Sequence, residues 1–215
     1  MDYLTVALAK GRLGEQSAEL FGKIGIGKSL DLDSRQLVFE DEENKIKFML
    51  LKNSDVVTYV DNGVADIGIV GKDMVKESLS KVFQLHNLNF GYCKMCIAGE
   101  KGKTVYRNNA ILKVATKFTN SAKAYFDSKG QRIQIITLNG SVELAPKLGL
   151  ADVIVDIVET GSTLKANGLE VLEEMFDINP VIIANRIGYK FKMKQIDEII
   201  AKIEELERKQ DAKNI

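Results

Sequence analysis

The chain has 215 residues, enough for one large domain or for two small α/β lobes. Lysine plus arginine and aspartate plus glutamate each total 30, so the formal net charge is zero and no general basic field attracts nucleic acid or an anionic membrane. Local geometry must therefore bind any anionic ligand. No apolar run approaches the roughly 20 residues that cross a bilayer, and the first residues do not resemble a signal peptide, so we expect a cytoplasmic protein.

The first part of the chain alternates between strand and helix patterns. Strands are predicted at residues 3–9, 36–40, 45–51, 67–70 and 82–85, with a hairpin turn between the second and third. Helices are predicted at 15–24, at 55–61 with Ser54 as the N-cap, and after Gly71-Lys72-Asp73.

From Gly91 onward the pattern restarts. Strands are predicted at residues 92–98, 112–116, 133–137, 153–157 and 181–184, and helices at 121–128, at 142–148 and near Leu164. A final helix is predicted from about Met193 to Arg208, with an isoleucine stripe at helical spacing.

Strands that alternate with helices predict an α/β fold with mostly parallel sheets. We predict two lobes, residues 1–89 plus 180–215 (lobe I) and residues 90–179 (lobe II). Ligands of such folds lie at the carboxyl ends of strands. The loops that follow predicted strands are therefore expected to face one cleft: Lys10-Gly11-Arg12, Gly71-Lys72-Asp73, Asn139-Gly140-Ser141 and 159–163.

Cysteine and histidine are scarce. Cys93 and Cys96 form a lone Cys-x-x-Cys, and the single histidine is His86. Structural zinc usually needs four ligands, and on a strand two thiols three residues apart point in different directions. We interpret the cysteines as packed side chains, and we assign no metal ligands among the protein side chains.

The most informative segment is residues 156–163, Asp-Ile-Val-Glu-Thr-Gly-Ser-Thr, which follows an apolar strand. Its backbone N–H groups and three hydroxyls can bind a tetrahedral anion. The carboxylates of Asp156 and Glu159 can accept hydrogen bonds from sugar hydroxyls. The segment therefore indicates a phosphoribosyl site, although a hydroxyl that only caps the following helix is an alternative interpretation.

Taken together, these loops resemble the ATP phosphoribosyltransferases, which catalyse the first step of histidine biosynthesis. The resemblance is carried by residues 7–13, 55–60 and 63–73, and most strongly by Leu138-Asn139-Gly140-Ser141-Val142-Glu143 through Asn167-Gly168-Leu169. It covers nearly the whole chain, which looks like the short form without a C-terminal regulatory domain. The implied fold is that of two-lobed type II periplasmic-binding proteins, with lobe I on the ATP side, lobe II binding phosphoribosyl pyrophosphate and the active site in the interlobe cleft.

The resemblance also implies the reaction. N1 of the adenine of ATP displaces pyrophosphate from C1 of phosphoribosyl pyrophosphate, and Mg²⁺ accompanies the pyrophosphate. A regulatory subunit similar to histidyl-tRNA synthetase is implied as partner in a hetero-octamer. The implied substrate-binding residues are Thr160, Gly161, Ser162 and Thr163 at the 5-phosphate, Asp156 and Glu159 near the ribose, and Glu143, Gly71 and Asp73 in matching blocks.

The chemistry requires cations. In the transition state, negative charge grows on the departing pyrophosphate and positive charge grows on the ribose. Adenine N1 carries no proton, so the attack needs no general base. Lys10, Arg12 and Arg35 are candidates for phosphate contacts, and Lys10, Arg35 and Lys52 are the catalytic candidates. Many family members have an Arg-x-Arg-Asp-like run where this chain has Lys52-Asn53-Ser54-Asp55, so one cation is missing and Arg35 gains importance. A solvated lysine at the strand end is the alternative interpretation of Lys52.

Two other functions fit part of the pattern. A phosphate loop does not select the accepting base, so a phosphoribosyltransferase for another base is one alternative. A two-lobed solute-binding protein without catalysis is the other. The matches outside the phosphate loop, particularly residues 55–73, count against the first alternative. The missing export signal and the acids that flank the phosphate loop count against the second.

Overall fold

The computed structural model describes residues 3–106 and 110–212, apart from the side chain of residue 211. Within that part, the chain divides into two compact units, which we call unit 1 (residues up to Gly91 and from Asn179 onward) and unit 2 (Tyr92–Ile178). No helix among the described residues is long and apolar enough to span a membrane. The elements in chain order are β1 (Leu4–Ala9), α1 (Arg12–Lys23), β2 (Val38–Asp41), β3 (Ile46–Leu51), α2 (Asn53–Asp61), β4 (Ile67–Gly71), α3 (Lys72–Ser78), β5 (Phe83–Asn87), β6 (Cys93–Glu100), β7 (Leu112–Thr116), α4 (Thr119–Ser128), β8 (Ile133–Thr137), α5 (Leu144–Lys147), β9 (Val153–Val158), α6 (Ser162–Ala166), β10 (Leu169–Ile178), β11 (Pro180–Ala184) and α7 (Gly188–Asp211).

Unit 1 is built on a six-stranded sheet in the order β2-β3-β1-β4-β11-β5. Strands β3, β1 and β4 are parallel, and the other pairings are antiparallel. Apolar residues of β1 alternate between two buried clusters, so the sheet is covered on both faces. Helices α1 and α7 contribute to one cluster, and α2 and α3 contribute to the other.

The predicted stripe on the last helix packs inside unit 1. Ile196, Ile199 and Ile203 of α7 are buried in the same cluster as the core strand residues of β1. The single histidine, His86 of β5, contacts the same helix, because its Nε2 lies 2.8 Å from Oε2 of Glu207 on α7. The apolar stripe of α7 therefore packs in the hydrophobic core of unit 1.

Unit 2 is built on a five-stranded sheet in the order β10-β6-β9-β7-β8. Strands β9, β7 and β8 are parallel, whereas β10, β6 and β9 pair antiparallel. A buried cluster joins Ala115 of β7 and Ile154 of β9 to Ala145 of α5 and Leu164 of α6. Helices α5 and α6 thus pack on one face of this sheet.

The fold class is confirmed, with three corrections of detail. Both sheets are mixed, whereas mostly parallel sheets were predicted. Part of the difference is strand β10, which was not predicted and pairs antiparallel with β6. The pairing of β10 with β6 has two register shifts, between Val171 and Glu173 and between Glu174 and Phe176, which interrupt the alternation that identifies a strand in a sequence. Helix α7 begins at Gly188, five residues earlier than predicted.

The third correction concerns Ser54, which is not the N-cap of α2. Lys52 occupies that position in an extended conformation, and the helix begins at Asn53, directly after β3. Ser54 Oγ instead donates to Oδ1 of Asp55 at 2.8 Å. The chain therefore turns into the helix without a side-chain cap.

Asp41 at the end of β2 connects two turns of unit 1. Its Oδ2 accepts the backbone N–H of Gly27 at 2.7 Å, and its Oδ1 accepts that of Asn44 at 3.0 Å. Burial by itself raises the pKa of Asp41, but these hydrogen bonds outweigh burial and leave the pKa below its ordinary value.

We expect Asp41→Ala to lower the free energy of unfolding at pH 7 by about 1–2 kcal/mol, because two partly buried N–H groups lose a charged acceptor. The carboxylate has a lowered folded-state pKa, so its contribution is present above the unfolded-state pKa and is lost as pH falls through the folded-state pKa. Urea unfolding at pH 7 and at pH 3 measures both effects. Glu43→Ala is the control, since its exposed pairing with Lys28 at 3.8 Å contributes little. Equal effects of the two substitutions would contradict the assignment.

Candidate functional site

The carboxyl ends of three parallel strands meet at one edge of the unit 1 sheet. Ala9 at the end of β1 lies opposite Leu51 of β3, and Leu8 lies opposite Ile69 of β4. The backbone N–H of Lys10 donates to the carbonyl of Leu51 at 2.7 Å. Helices α1, α2 and α3 begin within three residues of these strand ends, so three helix N-termini share this edge.

The predicted site residues of unit 1 differ in accessibility at this edge. Lys10, Arg12 and Lys52 are exposed. Gly71 is buried and forms the N-cap of α3, and the Asp73 side chain is only 2 % exposed. A substrate contact of the Asp73 carboxylate would need the surface to open, and that contact stays a prediction.

A cavity of about 350 Å³ lies beside Lys10. Its lining consists of Ala9, Lys10, Gly11, Glu15, Leu32, Asp33 and Leu50. Arg35 is exposed two residues after Asp33 and is outside this lining. The structure therefore brings the segment of Arg35 to the neighbourhood of Lys10, but it records no contact between these two cations.

Two glycines shape the turn that presents Lys10. Gly11 has a φ of 85°, in the region that disfavours side chains, and it is the N-cap of α1. Gly14 is buried in the first turn of α1, where a Cβ would lie 1.8 Å from the carbonyl oxygen of Ala9. Helix α1 can therefore approach the end of β1 only with glycine at position 14.

We expect Gly14→Ala to lower the free energy of unfolding by about 3 kcal/mol or more, because the new methyl group meets backbone and the helix must shift. Gly22→Ala is the matched control in the same helix. No heavy atom lies within 4 Å of a Cβ at position 22, so we expect that variant to be stabilised by up to about 1 kcal/mol. Urea unfolding of both variants checks the expectation, and a neutral Gly14→Ala would contradict the close approach.

The predicted phosphate loop of unit 2 connects β9 to α6. Gly161 adopts a left-handed conformation with a φ of 72° and allows the sharp turn between them. The side chains of Thr160, Ser162 and Thr163 are exposed, and the Thr160 and Ser162 hydroxyls are 3.0 Å apart. The loop thus presents three hydroxyls and the start of a helix at one surface.

The helix-cap interpretation of this loop is not supported. The N-cap is Gly161, which has no side chain, and no side-chain cap bond is formed. The backbone N–H of Ser162 reaches Thr160 Oγ1 only at 3.4 Å. Because α6 has five residues, the groups that this loop offers to an anion are its N–H and hydroxyl groups rather than a helix macrodipole.

Asp156 is half-buried near the end of β9, and charged side chains of both signs, Glu143 and Lys117, act on its carboxylate. Burial raises the pKa of Asp156 above its ordinary value, and the Glu143 carboxylate raises it further. The N–H of Ile157 and the ammonium of Lys117 lower it. The structure thus brings Glu143 to Asp156, together with Lys117, a residue that the sequence analysis missed. Its only signal in the sequence was its position directly after a predicted strand.

A second cavity, of about 380 Å³, lies beside the loop. Its lining consists of Lys94, Cys96, Val158, Glu159, Thr160, Gly161, Leu164, Lys165, Leu169, Glu170, Val171 and Glu174. Burial, reinforced by Glu174, raises the pKa of Cys96 to about 11, so this thiol stays protonated at neutral pH. Cys93 and Cys96 are both free of disulfides, as expected for packed cysteines on β6.

Comparison with known proteins identifies the family. The family model described as HisG: ATP phosphoribosyltransferase matches residues 52–205. The chain belongs to the ATP phosphoribosyltransferase family. It is 58 % identical over 207 residues to the ATP phosphoribosyltransferase of Clostridioides difficile, covering 96 % of this chain and 100 % of that protein. Against the enzyme of Lachnoclostridium phytofermentans the identity is 48 %, covering 96 % and 98 % of the two chains.

Solved structures agree with this family. A chain of the HisG:HisZ ATP phosphoribosyl transferase complex of Thermotoga maritima superimposes with a TM-score of 0.82 at 37 % identity, covering 94 % of this chain and 97 % of that one. The periplasmic sulphonate-binding protein SsuA of Escherichia coli reaches a TM-score of 0.59 at 15 % identity, covering 99 % and 76 %. The second likeness shows the fold alone. The predicted family is therefore confirmed, and the roles of individual residues stay predictions.

Proposed function

We propose that this chain transfers the phosphoribosyl group of phosphoribosyl pyrophosphate to N1 of ATP, giving phosphoribosyl-ATP and pyrophosphate, as the first step of histidine biosynthesis. The observation that supports this most is the 58 % identity to an ATP phosphoribosyltransferase over nearly the full length of both chains. Identity over this length includes the unit 1 edge as well as the phosphate loop. We place the reaction in the cytoplasm.

Unit 2 supplies the groups for the sugar phosphate in this proposal. Thr160, Gly161, Ser162 and Thr163 bind the 5-phosphate through backbone N–H groups and exposed hydroxyls. Asp156 and Glu159 accept hydrogen bonds from the ribose hydroxyls, and Glu143 helps to position the sugar. The carboxylates also stabilise the positive charge that develops on the ribose as the bond to pyrophosphate breaks.

Unit 1 supplies the cations. Lys10, Arg12 and Lys52 are exposed beside three helix N-termini, an arrangement that favours phosphate groups. Arg35 adds a planar guanidinium that can bind phosphate oxygens in a bidentate manner. These side chains stabilise the negative charge of the departing pyrophosphate. Adenine N1 attacks without losing a proton, so no general base is needed.

Magnesium fits this site as an ion that arrives on the pyrophosphate. The described residues contain no group of three or more His, Cys, Asp or Glu side chains that could hold a metal. Mg²⁺ is commonly bound together with substrate phosphates and water rather than by a cage of protein ligands. Its chemistry here is to neutralise pyrophosphate oxygens, and we assign it no protein ligand.

The partner in this proposal is a regulatory subunit. The Thermotoga maritima structure is a complex of HisG with HisZ. We propose that this chain likewise assembles with a HisZ-type subunit similar to histidyl-tRNA synthetase, in a hetero-octamer.

The test of the function is an assay of pyrophosphate release by the purified chain, with and without its regulatory subunit, in the presence of Mg²⁺ and phosphoribosyl pyrophosphate. We expect turnover with ATP and formation of an adduct that absorbs in the near-ultraviolet. Turnover with adenine, guanine or orotate but not with ATP would indicate a phosphoribosyltransferase for another base. Ligand binding without turnover of any base would indicate a solute-binding protein.

Thr163→Ala tests the phosphate loop. Loss of one hydroxyl donor to a charged phosphate should weaken binding of phosphoribosyl pyrophosphate by about 1–3 kcal/mol, measured by isothermal titration calorimetry. Thr58→Ala, which removes an exposed threonine hydroxyl from α2, is the control and should leave the affinity unchanged. Unchanged affinity with a lower melting temperature in Thr163→Ala would give the hydroxyl a role in stability instead of in phosphate binding.

Arg35→Ala tests the leaving-group cation. We expect kcat to fall more than the affinity for phosphoribosyl pyrophosphate, because the charge that Arg35 stabilises grows during bond breaking. Steady-state kinetics and calorimetry measure the two quantities. Lys28→Ala, which removes an exposed cation seven residues earlier, is the matched control. An effect confined to stability would remove Arg35 from the mechanism.

A further inference from the structure

Thr116, the last residue of β7, extends the pairing of β7 with β9 through its side chain. The backbone register of these two parallel strands ends with Ala115 opposite Ile154. One residue further along, the Thr116 hydroxyl Oγ1 donates to the carbonyl oxygen of Val155 at 2.6 Å. A threonine hydroxyl can bond to backbone groups in this way. The side chain thus takes the place of a backbone donor at the point where β7 ends.

The Thr116 hydroxyl is buried and bonded on both sides. Thr116 is fully buried, and its Oγ1 also accepts the backbone N–H of Phe118 at 2.8 Å. A hydroxyl has one proton to donate and lone pairs that accept, and both capacities are used here. Loss of the hydroxyl would take a hydrogen bond from a buried carbonyl and from a buried N–H. The hydroxyl therefore fixes both the end of β9 and the turn from β7 toward α4.

The same residue connects two segments that carry candidate phosphoribosyl groups. The carbonyl oxygen of Thr116 accepts the backbone N–H of Leu138 at 3.1 Å, at the start of the loop that leads to Glu143. Val155, whose carbonyl binds the hydroxyl, directly precedes Asp156. On the other side of β9, Asp156 lies within the pairing with β6. The strand that carries Asp156 is therefore held by a backbone ladder on the β6 side and by the Thr116 hydroxyl on the β7 side.

We propose that Thr116 is a positioning residue of the phosphoribosyl site, because its buried hydroxyl holds the carboxyl end of β9 and so sets where Asp156 lies. The inference rests on the proposed function, in which Asp156 accepts hydrogen bonds from the ribose and stabilises the positive charge that develops there. A displaced carboxylate would stabilise that charge less well. Thr116 acts through the backbone of β9 and, being fully buried, does not touch the substrate.

The first test needs no turnover. Thr116→Val removes the hydroxyl and keeps a branched side chain, whereas Thr116→Ser keeps the hydroxyl. In the full chain labelled with ¹⁵N, NMR compares the backbone amide signals of Asp156 and Ile157 and the hydrogen exchange of the Phe118 amide. We expect Thr116→Val to move both signals and to accelerate the exchange, and Thr116→Ser to stay near the wild type. Unmoved Asp156 and Ile157 signals in Thr116→Val would overturn the proposal.

Thr137→Val is the matched control for this test. Thr137 ends β8 directly opposite Thr116, but its side chain is exposed. The same substitution one strand away should therefore leave the Asp156 and Ile157 signals in place. Shifts of equal size in the two variants would contradict a specific role of the Thr116 hydroxyl.

The second test is the steady-state kinetics of the assembled enzyme. We expect Thr116→Val to lower kcat/KM for phosphoribosyl pyrophosphate about tenfold, with the KM for ATP near that of the wild type. Thr116→Ser should restore most of the loss. Phe126→Leu shortens a fully buried side chain of α4, so it lowers the melting temperature without removing the hydroxyl. An equal kinetic loss in Phe126→Leu, or no recovery in Thr116→Ser, would overturn the positioning role.

The two proposals fail in different ways. Absence of turnover in the wild-type assembly contradicts the proposed function and with it the positioning role of Thr116. An active wild type whose kcat/KM for phosphoribosyl pyrophosphate is unchanged by Thr116→Val contradicts the role of Thr116 alone. Circular dichroism of each variant at the assay temperature confirms that it is folded before the kinetics are compared.

Discussion

The structure depends on parallel strands that end together. Hydrogen bonding between neighbouring parallel strands fixes their register, and register decides which loops share an edge. In unit 1 this places the residues after β3, β1 and β4 side by side. In unit 2 it pairs the end of β7 with β9, where Thr116 Oγ1 donates to the carbonyl of Val155 at 2.6 Å. Residues far apart in the sequence become neighbours without any contact of their own, because the sheet sets their distances.

The sequence was sufficient to predict elements whose pattern is regular. Strand β9 and the Thr-Gly-Ser-Thr loop were predictable because an apolar run is followed directly by turn and hydroxyl residues. Strand β10 was not predictable, because its two register shifts break the alternation that a strand pattern requires. The start of α7 was missed because Gly188 and the exposed Phe191 obscure the apolar stripe in its first turn.

The candidate site shows a different limit of sequence reasoning. The phosphate loop is contiguous, so its chemistry is visible as a motif. Lys117 belongs to no motif, and its charge acts on Asp156 from beyond the end of β7, a relation that no single segment encodes. The role of Ser54 was wrong for a related reason, because the N-cap is set by the backbone conformation of Lys52 rather than by the best capping side chain nearby. Backbone geometry, which residue type alone does not reveal, was the missing information in both cases.

A chain with zero net charge must bind a highly anionic substrate through a few placed groups. The exposed Lys10, Arg12 and Lys52 provide such charges at one edge of unit 1. Lysine is a compact point charge on a flexible stem, whereas arginine offers a planar fork that matches phosphate geometry. In the proposed function, a lysine at position 52 balances charge but orients the departing pyrophosphate less well than an arginine would. That proposal therefore gives the orienting role to Arg12 and Arg35.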